Sequence, residues 1–156
     1  MTFDADRLAM LRDLIAALRA FSRDDVVVTN EVLRPYQGDA ETEIELTKEL
    51  VEVVSGFLST ADDFGLPAQS LVAHVVSDVP ADLRPFYEEA GRIILGVHEQ
   101  SDVANEDTNF ETFEEFDGFV KALLNLGVFL VRQIARSGGV SEDSIYDATA
   151  SRLAIE

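Results

Sequence analysis

The sequence predicts an all-α fold, a single-domain bundle of about six helices that spans residues 1–156. The chain of 156 residues is 47% apolar and 27% charged, which is typical of a globular domain with a real core. Its apolar residues recur mostly at helical spacing. Only the stretch 26–33 is rich in β-branched residues, and no second such stretch could pair with it as a strand. An extended linker or a helix start fits residues 26–33 equally well.

Two predicted helices flank this β-branched stretch in the first half of the chain. Residues 4–21 place their apolar side chains at helical spacing, which predicts the first helix. Pro35 and Gly38 predict a loop after the stretch. Thr42 and Glu45 are spaced as a capping box, so the next helix is predicted to begin there and to continue through the apolar sequence that follows.

Prolines, glycines and a serine set the predicted helix boundaries in the second half. Pro67 and Pro85 each suit a first helical turn, because proline lacks an N–H and the N–H groups of a first turn have no helical partner. A long, largely buried helix is predicted near 110–136, and the glycine pair that begins at Gly138 stops it. Ser141 predicts the N-cap of a last helix.

The long helix is preceded by the sequence NEDTNFETFEEFDGF, residues 105–119, which combines acidic residues with four phenylalanines and contains no base. Thr108 and Glu111 are spaced as a capping box. Phenylalanines at every third position form a broad apolar face, and the acidic residues fall mainly on the other side. A capped, amphipathic helix therefore explains this stretch without any function.

Residues 118–134 of this helix are apolar nearly all round. Such a helix is either central in the bundle or shared with a second copy of the chain, so a homodimer through residues 118–134 is the alternative prediction. The apolar run itself covers only residues 118–131 and contains Lys121 and Asn125. It is too short and too polar for a membrane span, which favours a buried helix.

Thirty acidic residues against twelve basic ones give the chain a net charge of −18. Binding to nucleic acid or to anionic membranes depends largely on lysine and arginine, so neither partner is expected. The charge favours a basic protein partner or a cation. A high-salt cytoplasm or a coding bias would leave the same excess of acids on a protein without such a partner, and this alternative stays open.

A cytoplasmic location is expected from the N-terminal sequence and from the absence of cysteine. The N-terminus carries acids early and has no apolar run suited to a signal peptide. Because the chain contains no cysteine, a disulfide framework, a thiolate metal site and a cysteine nucleophile are all excluded.

The predicted function is a non-enzymatic, acidic helical module that binds or regulates another protein and needs no cofactor. Clustered acids attract a basic partner, and neighbouring phenylalanines could supply a buried anchor. The predicted partner-binding residues are Asp102, Glu106, Asp107, Glu111, Glu114 and Glu115.

The alternative function is a metal-dependent enzyme that uses paired carboxylates. Acidic residues three apart lie on one face of a helix, as in Glu49 with Glu52 and in Glu114 with Asp117. Hard cations such as Mg²⁺ prefer these oxygen ligands and leave room for phosphate. An EF-hand loop is excluded, because the acidic stretch lacks the glycine and the final glutamate at the required positions.

The sequence EEFDGFVKALLNLGVFL, followed by a short last helix, is similar in layout to the MazG-like all-α pyrophosphohydrolases. That family pairs an E-x-x-E helix with an E-x-x-D helix, and Glu114 and Asp117 would be the E-x-x-D pair. The other pair departs from the family pattern, because EEAGRI holds Arg92 in place of the second glutamate, while Glu49 and Glu52 lie far upstream. The resemblance covers under half of the chain and implies Mg²⁺-dependent hydrolysis of nucleoside triphosphates.

His98 follows Arg92 by six positions, which is similar to the pattern in helical HEPN ribonucleases. A surface that cleaves RNA must attract phosphate, and the acidity of this chain opposes that. We therefore do not expect RNA cleavage.

Overall fold

The computed structural model of the chain describes residues 5–99 and 113–155. These residues form seven α-helices and one short 3-10 turn, Arg34–Tyr36, and they contain no β-strand. The helices are α1 Ala5–Ser22, α2 Val26–Leu33, α3 Ala40–Asp63, α4 Ala68–Asp78, α5 Arg84–His98, α6 Phe113–Gly138 and α7 Glu142–Ile155. The predicted all-α fold is confirmed, with seven helices in the described residues instead of about six.

The helix α2 is formed by the β-branched stretch that resembles a strand in sequence. Valine loses rotamer freedom in a helix, so intrinsic propensity does not favour this conformation. Asp25 stabilises the start of α2, because its carboxylate accepts a hydrogen bond from the N–H of Val28 at 3.1 Å. Thr29 and Leu33 are the buried residues of α2, which packs mainly on α1. A cap and tertiary contacts therefore outweigh a weak local preference.

The helices α3 and α5 run parallel. Ser55 of α3 donates a hydrogen bond to the carbonyl of Ile94 at 3.2 Å, and one turn farther along, Ser59 lies 3.2 Å from His98. The two contacts follow the same order along α3 and α5, so both helices point in the same direction. Because the two helices are parallel, α4 returns the chain between them in the opposite direction, with its first turn beside the end of α5.

The helices α1, α3 and α6 meet at Gly127. A Cβ atom at this position would lie 3.0 Å from Leu18 and 3.2 Å from Val54, so glycine permits the close approach of all three helices. Farther along, Arg132 of α6 donates a hydrogen bond of 2.6 Å to the carbonyl of Ser22 at the end of α1. Hence α1, α3, α5 and α6 share one direction, and α2, α4 and α7 run the opposite way.

The predicted long, buried helix is confirmed as α6, which packs against α1, α3, α4, α5 and α7. Its buried apolar residues are Phe116, Phe119, Val120, Ala122, Leu123, Leu124, Leu126, Val128, Leu130, Val131 and Ile134. Since these side chains are buried within one chain, they offer little apolar surface for a homodimer through residues 118–134, and the oligomeric state stays a prediction. The capping box predicted at Thr108 and Glu111 lies outside the described residues.

By length and composition, α6 is also the one helix in the described part of the chain that could cross a membrane. Its most apolar window has a mean hydropathy of 1.4, but 67% of that window is buried inside the bundle. The core helix of a soluble protein has this same combination of length, apolarity and burial.

Two of the predicted helix boundaries are confirmed and one is wrong. The Ser141 hydroxyl accepts a hydrogen bond of 3.1 Å from the N–H of Ser144, which is the predicted cap of α7. At the end of α6, Gly139 adopts a positive φ of 65°, as a terminating glycine does. The capping box at Thr42 is wrong, because α3 already begins after Asp39, whose carboxylate accepts a hydrogen bond from the Thr42 hydroxyl.

Candidate functional site

A small groove lies between α2 and the first turns of α6. The residues that line it are Thr29, Asn30, Leu33, Gln37, Leu46, Phe116, Asp117, Val120, Lys121 and Leu124. Its floor is apolar, and its rim carries amide, carboxylate and ammonium groups. The groove encloses about 10 Å³, which is close to the space of one water molecule. Such a volume suits a surface contact and does not hold a small-molecule substrate.

Three consecutive valines are exposed in the first turn of α2, the helix that lines one side of this groove. The exposed fractions are 56% for Val26, 67% for Val27 and 40% for Val28. Val26 and Val27 precede Asn30 by four and three residues, so they lie one turn away on the face of α2 that lines the groove. Adjacent exposed apolar side chains indicate an interaction site more strongly than a single one does.

The 3-10 turn after α2 fixes that helix against α1. The Tyr36 hydroxyl donates a short hydrogen bond to the carboxylate of Asp13 on α1. Burial, followed by this bond and by the charge of Asp13, raises the pKa of Tyr36 above its ordinary value. The phenol therefore stays protonated as a donor at neutral pH, and the end of α2 is held in place while its first turn faces solvent.

Acidic side chains lie on both sides of the exposed valines. Asp24, Asp25 and Glu31 are exposed on α2 or just before it. Across the groove, Glu114 is exposed one turn before Asp117, on the same face of α6. We call this region the α2–α6 surface, and its residues are Asp24, Asp25, Val26, Val27, Val28, Asn30, Glu31, Glu114, Asp117 and Lys121.

Two of the predicted partner-binding residues can be placed in the structure. Glu114 and Glu115 are both exposed in the first turn of α6. Glu115 lies on the face of Gly118, which packs against Phe86 of α5, whereas Glu114 lies one turn before Asp117, which lines the groove. The other predicted residues lie outside the described part of the chain: Asp102, Glu106, Asp107 and Glu111.

The carboxylates of the alternative metal site face different neighbours. Arg7 of α1 lies 3.0 Å from the Glu49 carboxylate and 3.5 Å from that of Glu52. Asp117 instead pairs with Lys121 at 3.0 Å, beside the groove. Within residues 5–99 and 113–155, no three acidic or histidine side chains come together in a group able to hold a metal ion. The described geometry therefore does not bring the two carboxylate pairs together, and magnesium binding stays untested.

His98 takes part in a polar cluster that joins the ends of α3 and α5. Its Nε2 atom lies 2.7 Å from the Asp62 carboxylate, and its Nδ1 atom lies 3.2 Å from the Ser59 hydroxyl. These are the residue types of a hydrolytic triad. Ser59 lies inside α3, however, where backbone N–H groups are already bound within the helix, so α3 supplies no oxyanion donors. The cluster is best explained as a clamp between two helices.

The HEPN-like spacing does not bring Arg92 to the His98 cluster. Arg92 pairs with Glu89 on its own helix at 2.6 Å. Six residues correspond to a rotation of about 240° around a helix, so Arg92 and His98 point in different directions.

At least half of the basic residues form ion pairs within the chain. At least six of the twelve form ion pairs with carboxylates of the same chain, namely Arg7, Arg19, Arg23, Arg92, Lys121 and Arg132. Three of these arginines hold α7 against α1 and α6. A cation that already has an anionic partner contributes little positive potential outside the molecule. The exterior is therefore left with the field of the excess acids.

Comparison of the chain with protein-family models, with curated protein sequences and with solved structures finds no match. The geometry of the chain itself is therefore the basis for a functional conclusion.

Sequence reasoning missed the part of the α2–α6 surface that α2 contributes. The valines were interpreted only as a β-branched stretch of uncertain conformation. One signal was present in the sequence, because acidic residues at Asp24, Asp25 and Glu31 enclose the valines on both sides. That Asn30 and Asp117, more than eighty positions apart, line one groove could not be predicted from one sequence.

Proposed function

We propose that this chain is a non-enzymatic, cytoplasmic module that binds a basic protein. The partner docks on the acidic first turn of α6 and the surface beside it. The observation that carries this proposal is the imbalance of exposed charge. At least six of the twelve bases form ion pairs within the chain, and Glu114 and Glu115 are both exposed in a chain of net charge −18.

These two neighbouring glutamates concentrate negative charge at the start of α6, in addition to the negative charge of the whole chain. Both lie in the first turn of α6, where their charge also complements the positive end of the helix dipole. The opposed alternative, a nucleic acid or an anionic membrane, would bring phosphate against the same carboxylates. Like charges in contact are repulsive, so the electrostatics select a cationic partner.

Direct binding to a defined cationic probe tests this proposal. A peptide of alternating lysine and serine is titrated into the protein at low and at high salt, and a matched glutamate–serine peptide serves as the negative probe. We expect binding of the lysine peptide alone, with affinity that falls steeply as salt rises. The double variant Glu114→Lys/Glu115→Lys should bind at least several-fold more weakly.

A matched variant separates a local docking site from a general effect of net charge. Asp63→Lys/Glu88→Lys changes the net charge equally, but its residues are exposed on the last turn of α3 and on α5. It should retain most of the binding. Equal weakening in both double variants, or no preference of the wild-type chain for the lysine peptide, contradicts the proposal.

A further inference from the structure

We infer that the α2–α6 surface is the docking surface for this partner, and that the partner presents an apolar side chain with lysine or arginine on either side. The inference rests on the proposed function and makes it specific. It identifies where the partner binds and which chemistry, beyond positive charge, the surface recognises.

The exposed valines provide the apolar part of this surface. Val27 is two-thirds exposed and Val26 is more than half exposed, although both belong to a regular helix. A β-branched side chain in a helix is already restricted to one main rotamer, so its burial by a partner loses little side-chain entropy. Burial by a partner therefore costs these valines less side-chain entropy than it would cost an exposed, flexible side chain such as methionine.

The charges around the valines select which apolar segment can bind. Asp24 and Asp25 precede them, Glu31 follows one turn later, and Glu114 lies on α6 one turn before Asp117, which lines the groove. Lys121 is the cation at the rim, and it is paired with Asp117 at 3.0 Å. An apolar residue placed on the valines thus brings its sequence neighbours close to carboxylates, and only basic neighbours form favourable pairs there.

The dimensions of the surface limit the size of the docking segment. The helix α2 has eight residues and is about 12 Å long. The wall of α6 from Glu114 to Lys121 covers two turns, or about 11 Å. A segment of two to three helical turns, with its apolar side toward the valines, spans this surface.

A second copy of the chain is disfavoured as the occupant. Each copy carries a net charge of −18, and the α2–α6 surface of one copy would place its acids against those of the other. Such a contact is repulsive over its whole area, whereas a basic segment is attracted by the same acids. Charge complementarity therefore points to a different, cationic partner.

Two synthetic peptides of identical lysine and leucine composition test the inference. In one, the leucines fall on a single helical face; in the other, the order is scrambled so that no apolar face exists. We expect the wild-type chain to bind the amphipathic peptide more tightly than the scrambled one. The variant Val26→Ser/Val27→Ser should lose about tenfold in affinity for the amphipathic peptide and little for the scrambled one.

Leu83→Ser is the matched control, because Leu83 is 40% exposed and lies at the start of α5, away from the groove. It should bind as the wild type does. A second variant, Glu31→Lys, keeps the valines and should weaken both peptides. Circular dichroism of each variant should match that of the wild type, since all the substituted side chains are exposed.

The possible outcomes separate the inference from the proposed function. If the valine variant binds the amphipathic peptide as the wild type does, charge alone drives binding; the inference then fails and the proposed function stands. If neither lysine peptide binds the wild-type chain, both fail. If sedimentation shows a dimer that Val26→Ser/Val27→Ser dissociates, a second copy occupies the surface and the inference is overturned.

Discussion

Tyr146 of α7 is the largest side chain of the described residues that is almost wholly buried. Its ring packs edge-on against Phe57 at a centroid distance of 6.2 Å, and the Arg19 guanidinium lies over the ring, 5.8 Å from its centroid. Its hydroxyl is buried near Ser22 without a hydrogen bond of normal geometry. Burial, and then the charge of Glu142, raises the pKa of Tyr146 above its ordinary value.

This raised pKa predicts a loss of stability at alkaline pH. In the unfolded chain the phenol ionises near its ordinary pKa of about 10, whereas in the folded chain it stays neutral to higher pH. The stabilising contribution is therefore complete below about pH 10 and is lost as pH rises toward the folded pKa. Tyr36, whose pKa is also raised, adds to the same trend.

The variant Tyr146→Phe should lose less stability than the wild type as pH is raised. Phenylalanine keeps the ring packing and removes a buried hydroxyl, so stability at neutral pH should change by less than about 1 kcal/mol. Urea unfolding at neutral pH and near pH 11 measures both effects. An alkaline loss that is equal in the variant and the wild type would show that ionisation of Tyr146 is not its cause.

At the scale of the helix, α7 is held differently from the others. Among the α7 side chains that the structure describes, Ile145, Tyr146 and Thr149 are buried. Three ion pairs also join α7 to the rest of the chain: Arg19 with Asp147, Arg23 with Asp143, and Arg132 with Glu142. Exposed ion pairs are weak, each worth up to about 1 kcal/mol, and salt weakens them further.

We therefore expect salt to affect α7 and α6 in opposite directions. Higher salt screens the repulsion among the excess acids and should raise the hydrogen-exchange protection of core amides in α6. The same salt weakens the ion pairs of α7, so its amide protection should fall relative to that of α6. Hydrogen exchange at low and high potassium chloride measures this ratio.

The double variant Asp143→Asn/Asp147→Asn serves as the control for α7. It should lower the protection of α7 at low salt and remove most of the salt dependence of the ratio. Protection that rises in parallel along α6 and α7 in the wild type would contradict an electrostatic attachment of the last helix.

At the scale of the whole molecule, the net charge of −18 determines how the protein responds to ions. Arg7 pairs with Glu49 and Glu52, so a metal ion at those carboxylates would have to displace an arginine. Asp117 is likewise paired with Lys121. These pairs favour general screening over a specific divalent site.

Unfolding temperature should therefore rise alike in magnesium, manganese, calcium and potassium chloride at matched ionic strength. Glu114→Gln should leave this response unchanged, because no single carboxylate dominates a screening effect. An ion that binds only the folded state raises the unfolding temperature by mass action. A rise specific to one divalent ion, and absent in Glu114→Gln, would restore the pyrophosphohydrolase-like alternative.

Local signals in the sequence were sufficient for several elements. The buried helix α6 follows from a continuous apolar run, and the cap at Ser141 and the stop at Gly139 follow from single side chains with one conformational role. The capping box at Thr42 failed because two acceptable caps lie three residues apart. Asp39 occupies the earlier N-cap position, where its carboxylate accepts from the Thr42 hydroxyl and not from a backbone N–H, and the longer α3 gains more helical hydrogen bonds.

The conformation of α2 could not be read from its residues. A β-branched run favours a strand, but a strand requires a partner, and none exists in the described part of the chain. Packing of Thr29 and Leu33 decides in favour of a helix. The candidate site also depends on tertiary packing, because Asn30 and Asp117 line one groove although they lie on helices far apart in the sequence.

The sequence by itself determined the helical class, the central apolar helix and the excess of negative charge, because each depends on composition or on short-range spacing. The tertiary structure decided which charges and apolar side chains remain exposed. It pairs Arg7 with Glu49, leaves Val27 exposed and brings Asn30 and Asp117 to one groove. Exposure depends on which neighbours cover a side chain, and those neighbours come from distant parts of the chain.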